Sequence, residues 1–276
     1  MGGKSIISKF IIKYIPKDIQ TYIEPFGGMF WNFFKMDLSE FPNLRTVVYN
    51  DFNKLNSNLF KCTKQYDKLW DEIDKYSFQE MGVDITPPEH KELFNTSKKE
   101  IFSPNLTIKD SGDFEIAVKY IIVLCQLFSG SRPEIGGFVD LKGKYKSKVL
   151  TFKDKLKKPA FRKQIDNITF VENNDFSYII NKYDDPFTFF YVDPPYYNLE
   201  DYYSKHDFGR PDHLRLSNEL KDTEGRWALS YYYFTDLEIW FPKDEYRWAT
   251  KEFSRLSSAT KGKSQTKAEE ILIMNY

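Results

Sequence analysis

Residues 187–197 read FTFFYVDPPYY: an aromatic and β-branched run, Phe187 to Val192, followed at once by Asp193-Pro194-Pro195-Tyr196-Tyr197. A short apolar run of this kind, running straight into Asp-Pro-Pro, predicts a strand, the strongest in the chain. The two prolines carry no amide hydrogen and fix φ, so the strand must end in a stiff turn. In an open α/β sheet, ligands bind beyond the carboxyl ends of the strands. An acid in that position is well sited for chemistry; a plain strand-to-loop turn with a chance Pro-Pro pair is the alternative.

Working outward, the same strand-then-turn pattern recurs. Thr21 to Glu24 predicts a strand that runs into Pro25-Phe26-Gly27-Gly28, and Thr46 to Tyr49 a strand that ends at Asn50-Asp51. Further strands are predicted at Ile168 to Val171, Trp227 to Ser230, Tyr246 to Lys251 and Ile271 to Asn275. Helical spacing marks Ser5 to Tyr14, a segment with Leu55 and Leu59 on one face, Phe114 to Phe128, and one helix around Phe152 to Gln164. Between Lys61 and Lys109 the chain is polar, with helical pieces broken at Pro87-Pro88. About seven strands alternating with helices predict a doubly wound α/β sheet. The stretch from Ser129 to Phe152, rich in glycine and lysine, predicts a hairpin or loop instead of a helix.

Composition bounds the function. The chain has 276 residues, enough for an α/β domain with an inserted lobe, and 40 basic residues balance 40 acidic ones. With zero net charge, any polyanion site has to come from local clustering. Cys62 and Cys125 lie far apart, and with His90, His206 and His213 they form no metal-ligand spacing, so neither a disulfide framework nor a metal is expected. The longest membrane candidate, Tyr120 to Phe128, is too short to span a bilayer. MGGKSIISKF lacks a secretory signal, and Ile6 stands where a myristoylation motif wants Ser or Thr. These features predict a cytoplasmic protein without a membrane partner.

The Asp193 turn suits one chemistry in particular. An exocyclic amine on a purine is a poor nucleophile because its lone pair is delocalised into the ring. Two acceptors, the Asp193 carboxylate and the Pro194 carbonyl, could hold both amino hydrogens and aim the lone pair at a methyl group. Tyr196 offers a flat face for a base. Catalysis is then largely positioning against an already reactive sulfonium. Nearby features fit a nucleotide-like cofactor. Gly27 and Gly28 allow close backbone approach. Asp51, about 20 residues beyond them, either accepts ribose hydroxyls or caps the helix starting in NDFNK. In Asn174-Asp175-Phe176, Asp175 either contacts an adenine amino group or caps a helix, and Phe176 could stack on the ring.

The order GGKS, EPFGG, YNDFN, NDF, DPPYY and a closing EEILIMN resembles the Dam-type adenine-N6 DNA methyltransferases, over about 1–60 and 165–276. The resemblance implies a Rossmann-like methyltransferase fold with a mostly parallel sheet, S-adenosylmethionine as donor, and an adenine flipped out of double-stranded DNA. It implies that Gly3, Lys4, Phe26, Gly27, Gly28, Asp51, Asp175 and Phe176 hold the cofactor, and that Asp193, Pro194, Pro195 and Tyr196 form the catalytic turn. It implies a catalytic domain of residues 1–60 and 165–276, and an inserted helical and hairpin target-recognition lobe at 61–164. In that lobe Lys142, Lys144, Lys146 and Lys148 alternate; on a strand they share one face, either as a phosphate-binding ribbon or as a solvated edge. Lys155, Lys157, Lys158, Arg162 and Lys163 extend the basic region. Members that read GATC carry Arg-Xaa-Asn before a Gly-Xaa-Phe turn; this chain has Gly137-Phe138-Val139-Asp140, with Arg132 as a candidate substitute, so GATC is not implied. The family context places the enzyme in a bacterial cell or, for a bacteriophage protein, in the host cytoplasm. Methylation of RNA or of cytosine N4, or a silent DNA-binding role, remain the alternatives.

Overall fold

The computed structural model describes residues 4–76, 88–127, 133–139, 148–197, 208–254 and 267–276. Of these, residues 53–167 form one compact unit, and those up to 52 together with 168–276 form the other.

The second unit is built on seven strands: β1 (Thr21–Glu24), β2 (Thr46–Asn50), β3 (Phe170–Glu172), β4 (Thr188–Val192), β5 (Arg226–Tyr231), β6 (Arg247–Ser254) and β7 (Lys267–Met274). Their order in the sheet is β3-β2-β1-β4-β5-β7-β6. The first five run parallel, and β7 is antiparallel to both β5 and β6. All seven expected strands are present, with ends moved by a few residues; the strand expected from Ile168 starts instead at Phe170, after Thr169 has bonded to Val47.

Alternation along β4 explains why its whole length is apolar. Phe190 and Val192 face a core shared with Ile23, Val48, Trp227, Leu229 and Ile273. The helices on that side are α9 (Phe176–Tyr183), α10 (Arg210–Asp222) and α11 (Asp236–Trp240), which contribute Ile179, Ile180, Leu216, Leu220 and Leu237. Phe189 points the other way and meets the Tyr22 ring at 6.0 Å. Tyr22 in turn meets Phe33 of α2 (Trp31–Lys35) at 6.3 Å, and α1 (Lys4–Ile12) packs against α2. A strand covered on both faces has no polar side to show, hence FTFFYV.

The chain winds outward from β1 through β2 to β3 and then returns to β4 beside β1. This reversal makes the carboxyl ends of β1 and β4 the topological switch point of the sheet.

The first unit is helical in its described residues: α3 (Lys54–Thr63), α4 (Tyr66–Asp74), α5 (Pro88–Ile101), α6 (Phe114–Gln126), α7 (Lys148–Lys155) and α8 (Pro159–Asp166). The apolar α6 is its centre, with α3, α4, α5 and α7 against it. Asp113 caps α6 and exchanges two hydrogen bonds with the buried Asn58 side chain, at 2.7 and 2.9 Å. Two expectations are corrected here. The helix expected around Phe152 to Gln164 is two helices, because Pro159 cannot continue α7 but is well placed to open α8. Lys148, expected on a hairpin strand, is the first residue of α7. Arg132, Lys142, Lys144 and Lys146 lie outside the described residues, as does Gly3.

Candidate active site

At the end of β1 the chain turns sharply through Pro25 to Phe30. The Gly27 amide donates to the Asn50 carbonyl at 2.7 Å, and the Gly28 amide donates to the Asp51 carboxylate at 2.8 Å. A Cβ on Gly27 would stand 2.5 Å from the Tyr49 ring, so only glycine fits. Gly28 has φ of 50° with nothing within 4 Å of where a Cβ would be, so its backbone faces open space. Phe30 is also left-handed, at φ 56°, with a fully buried ring lying 4.7 Å from Phe33 and 5.2 Å from Tyr49.

Sequence reasoning passed over Asn50, which organises three of these strand ends. Fully buried, it donates to the carbonyls of Pro25 (2.7 Å) and Asn174 (3.0 Å) and accepts from the Asn174 amide (2.9 Å). Asn173 adds a bond to the Asp51 carbonyl at 2.7 Å. The turns after β1, β2 and β3 are thus tied together by one amide side chain.

Asp51 does not cap the helix that follows it. Asn53 does, accepting from the Leu55 amide at 3.0 Å, which leaves the Asp51 carboxylate directed back to Gly28. Asp175 does cap α9, through the Ser177 amide at 2.9 Å, and it also takes both arms of Arg215 at 2.6 and 2.9 Å. Burial alone would raise the Asp175 carboxyl, but Arg215 and the Ser177 amide hold it below the usual range. Phe176 is buried, with Phe26 at 5.4 Å and the Arg215 guanidinium 4.1 Å from its ring. Arg215 carried no signal in the sequence, because its partner is 40 residues away.

The β4 turn is held by an ammonium set against two carboxylates. Asp193 follows the buried strand directly, and the Lys4 ammonium lies 3.2 Å from one of its oxygens. Lys4 also donates to the Tyr196 hydroxyl and to Glu270 of β7. Tyr196 itself donates to Glu270 at 2.6 Å, and its ring stands 4.3 Å from that of Tyr232. Glu270, 1% exposed, is the third residue that sequence reasoning missed. Burial and the negative charge of Glu270 push the Asp193 carboxyl up to about 6, against the pull of Lys4. Burial lowers Lys4, but Asp193, Tyr191 and Glu270 outweigh it and keep the amine charged. Alongside, Glu24 at the end of β1 is pushed up to about 8 by burial and accepts from Tyr22 at 2.7 Å.

Of the expected sites, Lys4, Asp193, Pro194, Pro195 and Tyr196 meet in one cluster, and Phe26, Gly27, Gly28, Asp51, Asp175 and Phe176 line the neighbouring strand ends. The basic residues of the first unit are partly committed. Arg162 pairs with Asp67 at 2.5 Å, and Lys157 lies 3.5 Å over the Trp70 ring. Among the described residues, no three His, Cys, Asp or Glu side chains are arranged to hold a metal, and no helix is long and apolar enough to cross a membrane.

Five parallel strands closed by an antiparallel β7 between β5 and β6 make this a Rossmann-like methyltransferase fold. The chain belongs to the D12 class N6 adenine-specific DNA methyltransferase family, whose profile matches residues 1–262. It is 27% identical over 294 residues to the type II methyltransferase M.MjaIII of Methanocaldococcus jannaschii, covering 100% of this chain and 96% of that protein. It is 24% identical over 240 residues to the type II methyltransferase M.CviBI of Paramecium bursaria Chlorella virus NC1A, covering 83% and 79%. Among solved structures it matches the rRNA methyltransferase aviRa from Streptomyces viridochromogenes with a TM-score of 0.34 and 11% identity, covering 97% and 81%.

Proposed function

We propose that the chain transfers a methyl group from S-adenosylmethionine to the 6-amino group of an everted adenine at a specific site in double-stranded DNA. The observation that carries this is the partly exposed Asp193 carboxylate at the sheet's switch point, kept next to a fixed cation. A group with its proton equilibrium near 6 is mostly ionised at neutral pH and free to accept hydrogen bonds.

The residues present fit the donor. Gly28 leaves the backbone open above the β1 turn, and the Asp51 and Asp175 carboxylates stand at the adjacent strand ends. Asp51 would hold the ribose hydroxyls, and Phe26 with Phe176 would supply the apolar side for the adenine. When bound, the donor supplies an electrophilic methyl on a sulfonium. Asp193 accepts one amino hydrogen of the target base and the Pro194 carbonyl the other. Tyr196 supports the base plane. Pro194 and Pro195 keep the two acceptors at a set spacing because neither can rotate about φ. The proton released on methylation passes to Asp193 or to water. Residues 53–167, which hold most of the candidate basic positions, serve as the recognition unit, with Lys142, Lys144, Lys146 and Lys148 as its candidates for phosphate contact.

The test is incubation with labelled S-adenosylmethionine and either duplex DNA or RNA, followed by nucleoside analysis. Label in N6-methyladenine from DNA is expected. Label only in RNA, or in N4-methylcytosine, refutes the assignment.

A further inference from the structure

Glu270 is a buried acid that the proposed reaction does not use. It comes from β7, a strand that contributes none of the motifs at the switch point. The neighbouring Glu269 and Lys267 are exposed, while Glu270 is turned inward. Burying a carboxylate is costly unless it is paired and hydrogen-bonded, and this one is both. One of its oxygens takes the Lys4 ammonium and the Tyr196 hydroxyl together. Both partners reach it from far along the chain, Tyr196 from 74 residues away and Lys4 from 266.

We propose that Glu270 is the positioning residue of the Asp193–Tyr196 turn, fixing the Tyr196 ring through its hydroxyl and holding the Lys4 ammonium between two carboxylates. The inference rests on residues 193–196 being the catalytic turn. Without Glu270, the Asp193 carboxylate is the acid left paired with Lys4 at 3.2 Å, Glu24 acting on the ammonium through its charge, and Lys4 draws onto the oxygen that the target amine needs. With Glu270 in place the ammonium is shared, and Asp193 keeps acceptor capacity. The Tyr196 ring is held on one side by Tyr232 and at its hydroxyl by Glu270, so its plane cannot tilt freely.

The groups facing Asp193 are Lys4 from α1, Tyr191 from β4, Glu24 from β1, Tyr196 of the turn itself and Glu270 from β7. Removing the Glu270 charge takes away a repulsion on the Asp193 carboxylate, so Asp193 then loses its proton at lower pH. The mechanism thus couples a loss in turnover to a shift in opposite sense from simple damage.

The experiment compares wild type, Glu270→Gln and Glu270→Ala in two measurements. In the first, single-turnover methylation of duplex DNA is followed against pH. Loss of a hydrogen bond to a charged group predicts a fall of about ten- to a hundred-fold in Glu270→Ala. Glu270→Gln, whose amide oxygen still accepts from Tyr196, recovers part of that rate. Both variants move the acid limb of the profile below that of wild type. In the second, the Asp193 carboxyl is titrated by carbon-13 NMR in the free protein, which needs no catalysis. A lower titration point in Glu270→Gln is expected. An Asp193 titration unchanged or raised in Glu270→Gln overturns the inference, as does wild-type turnover in that variant. Absence of methylation by the wild-type protein refutes the catalytic assignment instead, and the NMR result separates the two. If Glu270→Ala fails to fold, Glu270→Gln carries the test alone.

Discussion

The turns after β1 and β4 lie side by side at the switch point but are held by different physics. The β1 turn is fixed mostly by uncharged groups: the Gly27 amide on the Asn50 carbonyl, the Asn50 side chain on the Pro25 carbonyl and one glycine without room for a side chain, with the Asp51 carboxylate accepting from Gly28. The β4 turn is fixed by charge, with Lys4 set against Asp193 and Glu270. Bonds among uncharged groups keep their shape over a wide pH range, as a cofactor site needs. Charged groups can exchange partners when a polar substrate arrives, as a reacting centre needs.

Substitutions should separate the two halves. The largest effect is expected at the charged turn. Asp193→Ala should lower methyl transfer by about a thousand-fold, on the scale of lost acid–base or acceptor groups. Its melting temperature should stay near wild type, because Lys4 retains Glu270. Comparable losses of fold and activity would remove the distinction. Next comes Asn50→Ala, which strips partners from buried backbone groups and should cost about 2–3 kcal/mol of stability, read by urea unfolding. Asp51→Ala should weaken donor binding by about tenfold, in keeping with one lost acceptor, while kcat at saturating donor holds. The gentlest probe is pH. As Asp193 takes up its proton, kcat/KM for DNA should fall as pH drops through about 6, whereas donor affinity should hardly change over that interval. Parallel decline of both would show the β1 turn to be proton-sensitive as well.

The sequence revealed whatever is written locally. Short apolar runs marked the seven strands, and Pro or Gly just beyond two of them marked both turns, because the residues that stop those strands are their immediate neighbours. The break at Pro159 was equally local and was still missed, since helical spacing on either side of it suggested continuity. Glu270 was illegible for a better reason. In Glu269-Glu270 nothing in the residue types tells which carboxylate faces inward; that is decided by the register of β7, where Glu270 lies opposite Lys251 of β6, and by Lys4 at the other end of the chain. Asn50 and Arg215 were hidden in the same way, by partners brought near only through folding. Lys148 illustrates the reverse error, a periodicity of two read through to a residue that in fact begins a helix.

Phe30 has a consequence for engineering this pocket. A left-handed backbone costs a non-glycine residue roughly 1–2 kcal/mol, while losing a buried phenyl ring costs about 3–5 kcal/mol. Replacing Phe30 with glycine would therefore relieve torsion and still loosen the loop. Glycines 27 and 28 permit the curve, but the ring wedged beneath it is what commits the chain to it. A library aimed at new donors should leave that wedge untouched and vary the rim instead.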